Sequence, residues 1–299
     1  MDNYLFVPRS LATALFDAAF AGAAGLAIVS LWTSRDWEGK LRLRQKTVAC
    51  TVAMLVALCG LSFLLAATMT GSSDLSVIRP KFTEVMAGTH AGRMLLCNGA
   101  VGLVLLALLL FRRVYSSSFG HYLPIVILVV LAATRAATGH AAADGDLTLA
   151  EFVQFTHLIS IATWGGSVIA TAFFVLPYMH SAGQFDAMME CARRLSKVAT
   201  PALLLVVLTG AYNSYRGLGA SLDPLAHTQW GILLDSKIAL VGLAVSMGAY
   251  NRTIVRTSPS LRLPQGSRLT LVLRAEAAIM LLILMVSAWL ANSPPANAI

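Results

Sequence analysis

Residues 134–177 read TRAATGHAAADGDLTLAEFVQFTHLISIATWGGSVIATAFFVLP, and the fold follows from how this stretch divides. An apolar segment ends in Thr138-Gly139-His140. A short loop with Asp144, Asp146 and Glu151, and no Lys or Arg, comes next. A second apolar segment opens with Thr156-His157 and carries Trp164-Gly165-Gly166. The connection is too short for anything but antiparallel neighbours, so two histidines sit near the same end of two adjacent segments.

The rest of the chain repeats this pattern. Of 299 residues, 57% are hydrophobic and only 12% charged, whereas a soluble domain carries about 25% charged residues. Mean hydropathy is +0.73. These values describe an integral membrane protein. Eight segments have the roughly 20 apolar residues that a span needs: near 11–33, 47–69, 88–111, 122–138, 152–177, 198–216, 230–250 and 269–291. Alternation at about ten-residue spacing, the mark of a barrel, is absent. The expectation is an all-α polytopic membrane protein, a bundle of eight transmembrane helices forming a single domain over 1–299. Segments 70–87, 178–197 and 251–268 read as the longest connections, with 185–197 a short amphipathic helix at the surface.

Charge sets the orientation. Fifteen Lys and Arg fall on one side, in the connections after the first, third, fifth and seventh spans, and five (Arg9, Arg79, Lys81, Arg93 and Arg216) on the other. By the positive-inside rule both termini are periplasmic and the acidic 139–151 loop is outside. The net charge of +8 is therefore a topology signal, not a nucleic-acid surface. The first apolar run is span-length and follows no basic region, so no cleaved leader is expected. Cys50, Cys59, Cys97 and Cys191 form no CxxC and read as free thiols.

His90, His140, His157 and His227 fall on the outer side, His121 and His180 on the inner side. His140 and His157 either meet as nitrogen ligands for a metal such as copper or each bonds a backbone carbonyl or interfacial water. Met86, His90 and Met94 are spaced i, i+4, i+8, one face of a continuous helix. Thioether with imidazole favours Cu(I) over Cu(II), although Met is also a common packing filler. Gly88 and Gly92 flank this face and would let another helix approach. Met69 lies at the same depth, and His227 in the loop PLAHTQWG; both are candidates for a way in. Ionisable groups inside spans default to function. Asp17 has no evident partner, Lys237 and Glu276 form a potential pair, and with Asn213 they outline a polar path. No P-loop, GxSxG or HExxH occurs, and no enzymatic activity is expected.

These residues resemble the CopD family of bacterial inner-membrane copper resistance and copper transport proteins, including its YebZ-type members. The matching stretches are Gly139-His140-Ala141, Thr156-His157-Leu158, Trp164-Gly165-Gly166, Leu208 to Asn213, Thr228 to Leu234 with Lys237, Asn251-Arg252 and Ala275-Glu276. The resemblance is strongest over 89–294. It implies a multi-pass inner-membrane protein that handles copper, a periplasmic copper-binding partner of the CopC type, and family histidines at His140 and His157. Members often carry a histidine in the first helix, where this chain has Asp17 nearby.

Three functions compete. In the first, outer His and Met residues capture copper and pass it toward the cytoplasm. In the second, the chain is a b-type cytochrome with His-ligated haem. Against two haems, His121 to His140 spans ~28 Å and His157 to His180 ~34 Å along a helix, so the pairs stand at opposite faces of the membrane. In the third, the protein binds copper as a scaffold without moving it.

Overall fold

The computed structural model describes residues 4–33, 35–117, 119–138, 145, 147–219, 223–257 and 263–294. Every regular element among them is helical. In chain order these are α1 (Phe6–Ser30), α2 (Arg35–Leu41), α3 (Leu43–Thr70), α4 (Leu75–Gly88), α5 (His90–Leu110), α6 (Arg112–Tyr115), α7 (Leu123–Ala136) and α8 (Leu149–Ala170). A π-turn (Thr171–Val175) then leads into α9 (Leu176–Ser181), followed by α10 (Phe185–Leu218), α11 (Asp223–His227), α12 (Gln229–Thr257) and α13 (Leu263–Asn292). Among the described residues, seven helices are long and apolar enough to cross a membrane, counting α8 through α9 as one. Leu123–Ala136 is apolar but shorter.

Three connections differ from the sequence reading. Much of 70–87 is helical, because Asp74 caps α4 by accepting from the Ser76 N–H at 2.9 Å. The expected surface helix over 185–197 is the first part of α10, which continues through Pro201 without a break. Likewise α12 runs on to Thr257, seven residues past the apolar run. Hydropathy detects only the part of a helix that lipid would face, so polar turns at the ends escape it.

Two caps set the register of the region quoted above. Thr148 accepts from the Glu151 N–H at 3.3 Å, and the Glu151 carboxylate accepts from the Leu147 N–H at 2.6 Å. This reciprocal arrangement starts α8 at Leu149 and puts His157 about 12 Å along the helix. At the other site, Thr89 is extended (φ −101°, ψ 148°), and its hydroxyl caps α5 by accepting from the Gly92 N–H at 3.0 Å.

The centre of the bundle is α1 against α8. In lipid, helices associate through close packing of small residues rather than through the hydrophobic effect. A Cβ on Gly25 would stand 1.9 Å from the Gly166 carbonyl oxygen, and one on Gly166 would stand 2.1 Å from that of Ala21. The two backbones are therefore in direct contact, as the small residues after Trp164 suggest. Gly165 faces Met280 of α13 instead, at an ordinary 3.5 Å. Around this seam, Leu26, Trp164, Val168, Met280 and Ile283 fill one buried cluster, and Phe16, Phe20, Met54, Leu105 and Leu131 fill a second.

Candidate metal centre

His157 is buried (8% exposed) on the face of α8 that meets α10. Its Nδ1 lies 2.8 Å from Thr209 Oγ1. The Thr209 hydroxyl has one proton, and it donates that proton to the Leu205 carbonyl. It can therefore only accept from the ring, so Nδ1 carries the hydrogen. A neutral imidazole held this way presents the Nε2 lone pair, which is how second-shell partners orient a metal-binding histidine. One turn before His157, Gln154 Oε1 accepts from Asn213 Nδ2 at 2.9 Å. Between Thr209 and Asn213, Gly210 leaves space beside the ring; a Cβ there would touch His157 Cε1 at 3.6 Å. Thr209 and Gln154 were not singled out from the sequence, though Thr209 lies within the Leu208–Asn213 stretch.

Charged side chains gather at the same end of the bundle. Asp17 of α1 pairs with Arg135 of α7 at 3.7 Å, which corrects the expectation that Asp17 has no partner. The Arg135 guanidinium also stands over the Phe16 ring at 5.5 Å and donates to Thr138 Oγ1 at 2.8 Å. Lys237 of α12 is close enough to act electrostatically on both Asp17 and His157. Asn292 of α13 donates to Thr13 Oγ1 of α1 at 3.2 Å. Six helices (α1, α7, α8, α10, α12 and α13) thus contribute polar or charged side chains at this end of the bundle.

Lys237 and Glu276 do not pair. Asn251 Nδ2 donates to Glu276 Oε2 at 2.9 Å, so α12 and α13 run antiparallel with Asn251 opposite Glu276. Lys237 is fourteen residues earlier on α12, ~21 Å along the axis. The polar path read from the sequence therefore consists of two separate groups: Asp17, Lys237 and Asn213 near His157, and Glu276 with Asn251 deeper in the bundle.

The Met86, His90 and Met94 face is also corrected. The chain breaks at Thr89, leaving Met86 in the last turn of α4 and His90 and Met94 on α5. The break allows close contact, because a Cβ on Gly92 would stand 2.5–2.7 Å from the backbone of Val85 and Met86. Gly88, the other flanking glycine, meets nothing. His90 Nε2 lies 3.0 Å from the Ala137 carbonyl, to which it donates, tying the start of α5 to the end of α7. Met86 is buried, Met94 is half-buried, and Met69 and His227 are exposed. His140 lies outside the described residues. Among those described, no three His, Cys, Asp or Glu side chains converge on one point.

His121 and His180 have unrelated neighbours. His121 stacks edge-on against Tyr115. His180 is hydrogen-bonded to Ser267 Oγ at 3.0 Å and stands edge-on to Phe185.

Comparison with known proteins falls on the same elements. A family profile described as "Copper resistance protein D" matches residues 189–290. One described as "Copper resistance protein D-like, N-terminal domain" matches residues 7–149. Copper resistance protein D of Pseudomonas syringae pv. tomato is 25% identical over 295 residues, covering 91% of each chain. Copper transport protein CutJ of Bacillus subtilis (strain 168) is 27% identical over 215 residues, which is 71% of this chain and 38% of CutJ. The chain thus spans well under half the length of the Bacillus relative. No solved structure matches. Asp17, His90 and Arg135 fall within one profile and Thr209, Asn213, Lys237 and Glu276 within the other; His157 lies between them.

Proposed function

This chain belongs to the copper resistance protein D family, and on that premise we propose that it captures copper through His157 and moves it across the inner membrane. It is a multi-pass inner-membrane protein. The observation that carries the reading is the Thr209 hydroxyl, which accepts from Nδ1 and so directs the Nε2 lone pair of His157 to a ligand. His140 supplies a second nitrogen, and a third donor comes from the start of α5, where Met94 is better suited than His90. His90 already gives Nε2–H to a backbone carbonyl. A site of imidazole and thioether selects Cu(I) over Cu(II).

The site lies on the periplasmic side in this reading, with His227 and Met69 toward solvent as first contacts. A periplasmic copper-binding protein of the CopC type would deliver the ion there. Movement is inward, past Asp17, Lys237 and Asn213 and then Glu276. The charges beside His157 give the cluster a gating role. Lys237 acts on His157 and opposes a bound copper ion, while Asp17, which Lys237 also faces, is already paired with Arg135. An arriving ion that recruits Asp17 must loosen the Asp17–Arg135 pair, coupling occupancy to the α1–α7 contact.

The deciding experiment replaces His157 and His140 with Ala together. Copper stoichiometry of the purified protein should fall, and so should cellular copper content in cells expressing it. If both quantities stay at the wild-type level, the site is not where copper binds.

A further inference from the structure

Glu276 sits about halfway along α13 and is 3% exposed. Across from it on α12 are Gly248, where a Cβ would come within 3.2 Å of Glu276 Oε1, and Asn251. Asn251 is itself 7% exposed. Its Nδ2 donates to Oε2 at 2.9 Å, while its Oδ1 is buried with no hydrogen-bond partner among the described residues. Helices α1, α8 and α9 and the π-turn also pack on α13. Among the described residues none of these elements, nor α12, directs an ionisable side chain at the Glu276 carboxyl. Lys237 acts instead on Asp17 and His157. The Arg252 guanidinium is held by Ser196 and Thr200 of α10.

An ionised carboxylate only accepts hydrogen bonds, and a protonated one has a single O–H to donate. Facing a carboxylate, Asn251 can use only its NH2, and its buried carbonyl is left beside an unpaired charge. Facing a carboxylic acid, the amide makes a two-point pair, with N–H to one carboxyl oxygen and acid O–H to the amide oxygen. Turning the amide over leads to the same result. Oδ1 would then face Oε2 at 2.9 Å, and two acceptors at that distance need a proton between them.

We propose that Glu276 and Asn251 form a proton-binding site in which Glu276 is held as a neutral acid and exchanges its proton for a passing monovalent cation. The O–H bond breaks, the carboxylate oxygens take the cation, and the proton leaves to water. Charge at the site is unchanged by the swap, so the apolar surroundings never hold a bare carboxylate. The exchange rests on the transport reading above; the protonated state does not.

Two measurements on the full chain in lipid test this. Infrared spectra at neutral pH should show a protonated-carboxyl C=O band that shifts in D2O and disappears in Glu276→Gln. Asn251→Leu, which removes the partner but leaves the acid, should shift the band upward. A spectrum that Glu276→Gln leaves unchanged overturns the protonated state. In proteoliposomes given Cu(I), wild-type protein should move protons opposite to copper, as read by a trapped pH dye. Glu276→Gln should abolish this proton movement, and its persistence in the variant overturns the exchange. If the band is present but wild-type protein moves no copper, the transport reading fails and the proton site stands. If copper moves without the band, the proton site fails and transport stands.

Discussion

At the scale of single residues, Thr209 decides what His157 can do. Either of the imidazole's two distinct nitrogens can carry the hydrogen, and the threonine hydroxyl, already committed to Leu205, makes that choice. Replacing Thr209 with Val keeps the shape and removes the acceptor. The expected result is a roughly 10–100-fold loss of copper affinity, with Thr209→Ser close to wild type, read by competitive copper titration of the purified protein. Equal affinities for wild type and the Val variant would mean that the Thr209 contact only packs the ring. His157 itself was legible as a polar residue inside an apolar run, and its depth followed from helical rise. Its partner was not, because Thr209 is an unremarkable residue on another helix. Asp17 illustrates the same limit: an acid within a span is conspicuous, but that it faces Arg135 is a fact about how α1 and α7 cross.

Among elements, the α1–α8 seam is the contact most exposed to a single change. Gly165 and Gly166 are adjacent in sequence and differ by one position around the helix. Yet Gly166 points at the Ala21 backbone and Gly165 at the flexible end of Met280. Gly166→Ala puts a methyl into a space of 2.1 Å, and overpacking of this kind costs about 1–3 kcal/mol. Gly165→Ala meets an ordinary contact and gains helix propensity, so its effect should be near zero or stabilising. Thermal unfolding of the two variants in the same detergent separates them; equal melting temperatures would show that the backbones are not in contact. The pair of glycines announced close packing in the sequence, but which of them bears it depends on rotation about α8. The break at Thr89 was harder to anticipate. Residues 86–94 fit a continuous helix by spacing alone, and only the Thr89 cap together with Gly92 against α4 marks the turn.

At the scale of the whole molecule, the number of crossings turns on α7. The other spans have the length a bilayer requires. Leu123–Ala136, at fourteen residues, is ~21 Å long against a hydrocarbon core of about 30 Å. Composition revealed apolar segments and their order, but not whether each one reaches across. Packing supplies an argument for a full crossing. Arg44 reaches the Leu109 carbonyl at 2.6 Å, Arg194 the Trp32 carbonyl at 3.1 Å, and Arg252 the Ser196 hydroxyl at 2.8 Å. These basic contacts lie where α3 begins, α5 ends and α12 ends. The Asp17–Arg135, His90–Ala137 and Asn292–Thr13 contacts lie where α5 begins, α7 ends and α13 ends. With α7 leading from the first group to the second, α8 starts at the His157 end and the basic residues stay together. If α7 turned back, α8 would start among the basic contacts, and neither would Asn292 reach Thr13 nor Arg194 the Trp32 carbonyl. Eight crossings would put both termini on one side, which the positive-inside rule makes the periplasmic side. A reporter active only in the periplasm should therefore be active when fused ahead of Tyr4 or after Asn292 and inactive when inserted at Gly183, between α9 and α10. Activity at Gly183 with none after Asn292 would invert the bundle and put the His157 cluster on the cytoplasmic side. Activity at both Gly183 and Asn292 would mean that one of α10, α12 and α13 does not span, whereas an active Asn292 fusion with an inactive fusion ahead of Tyr4 would mean that a helix before Gly183, α7 being the shortest of them, does not span.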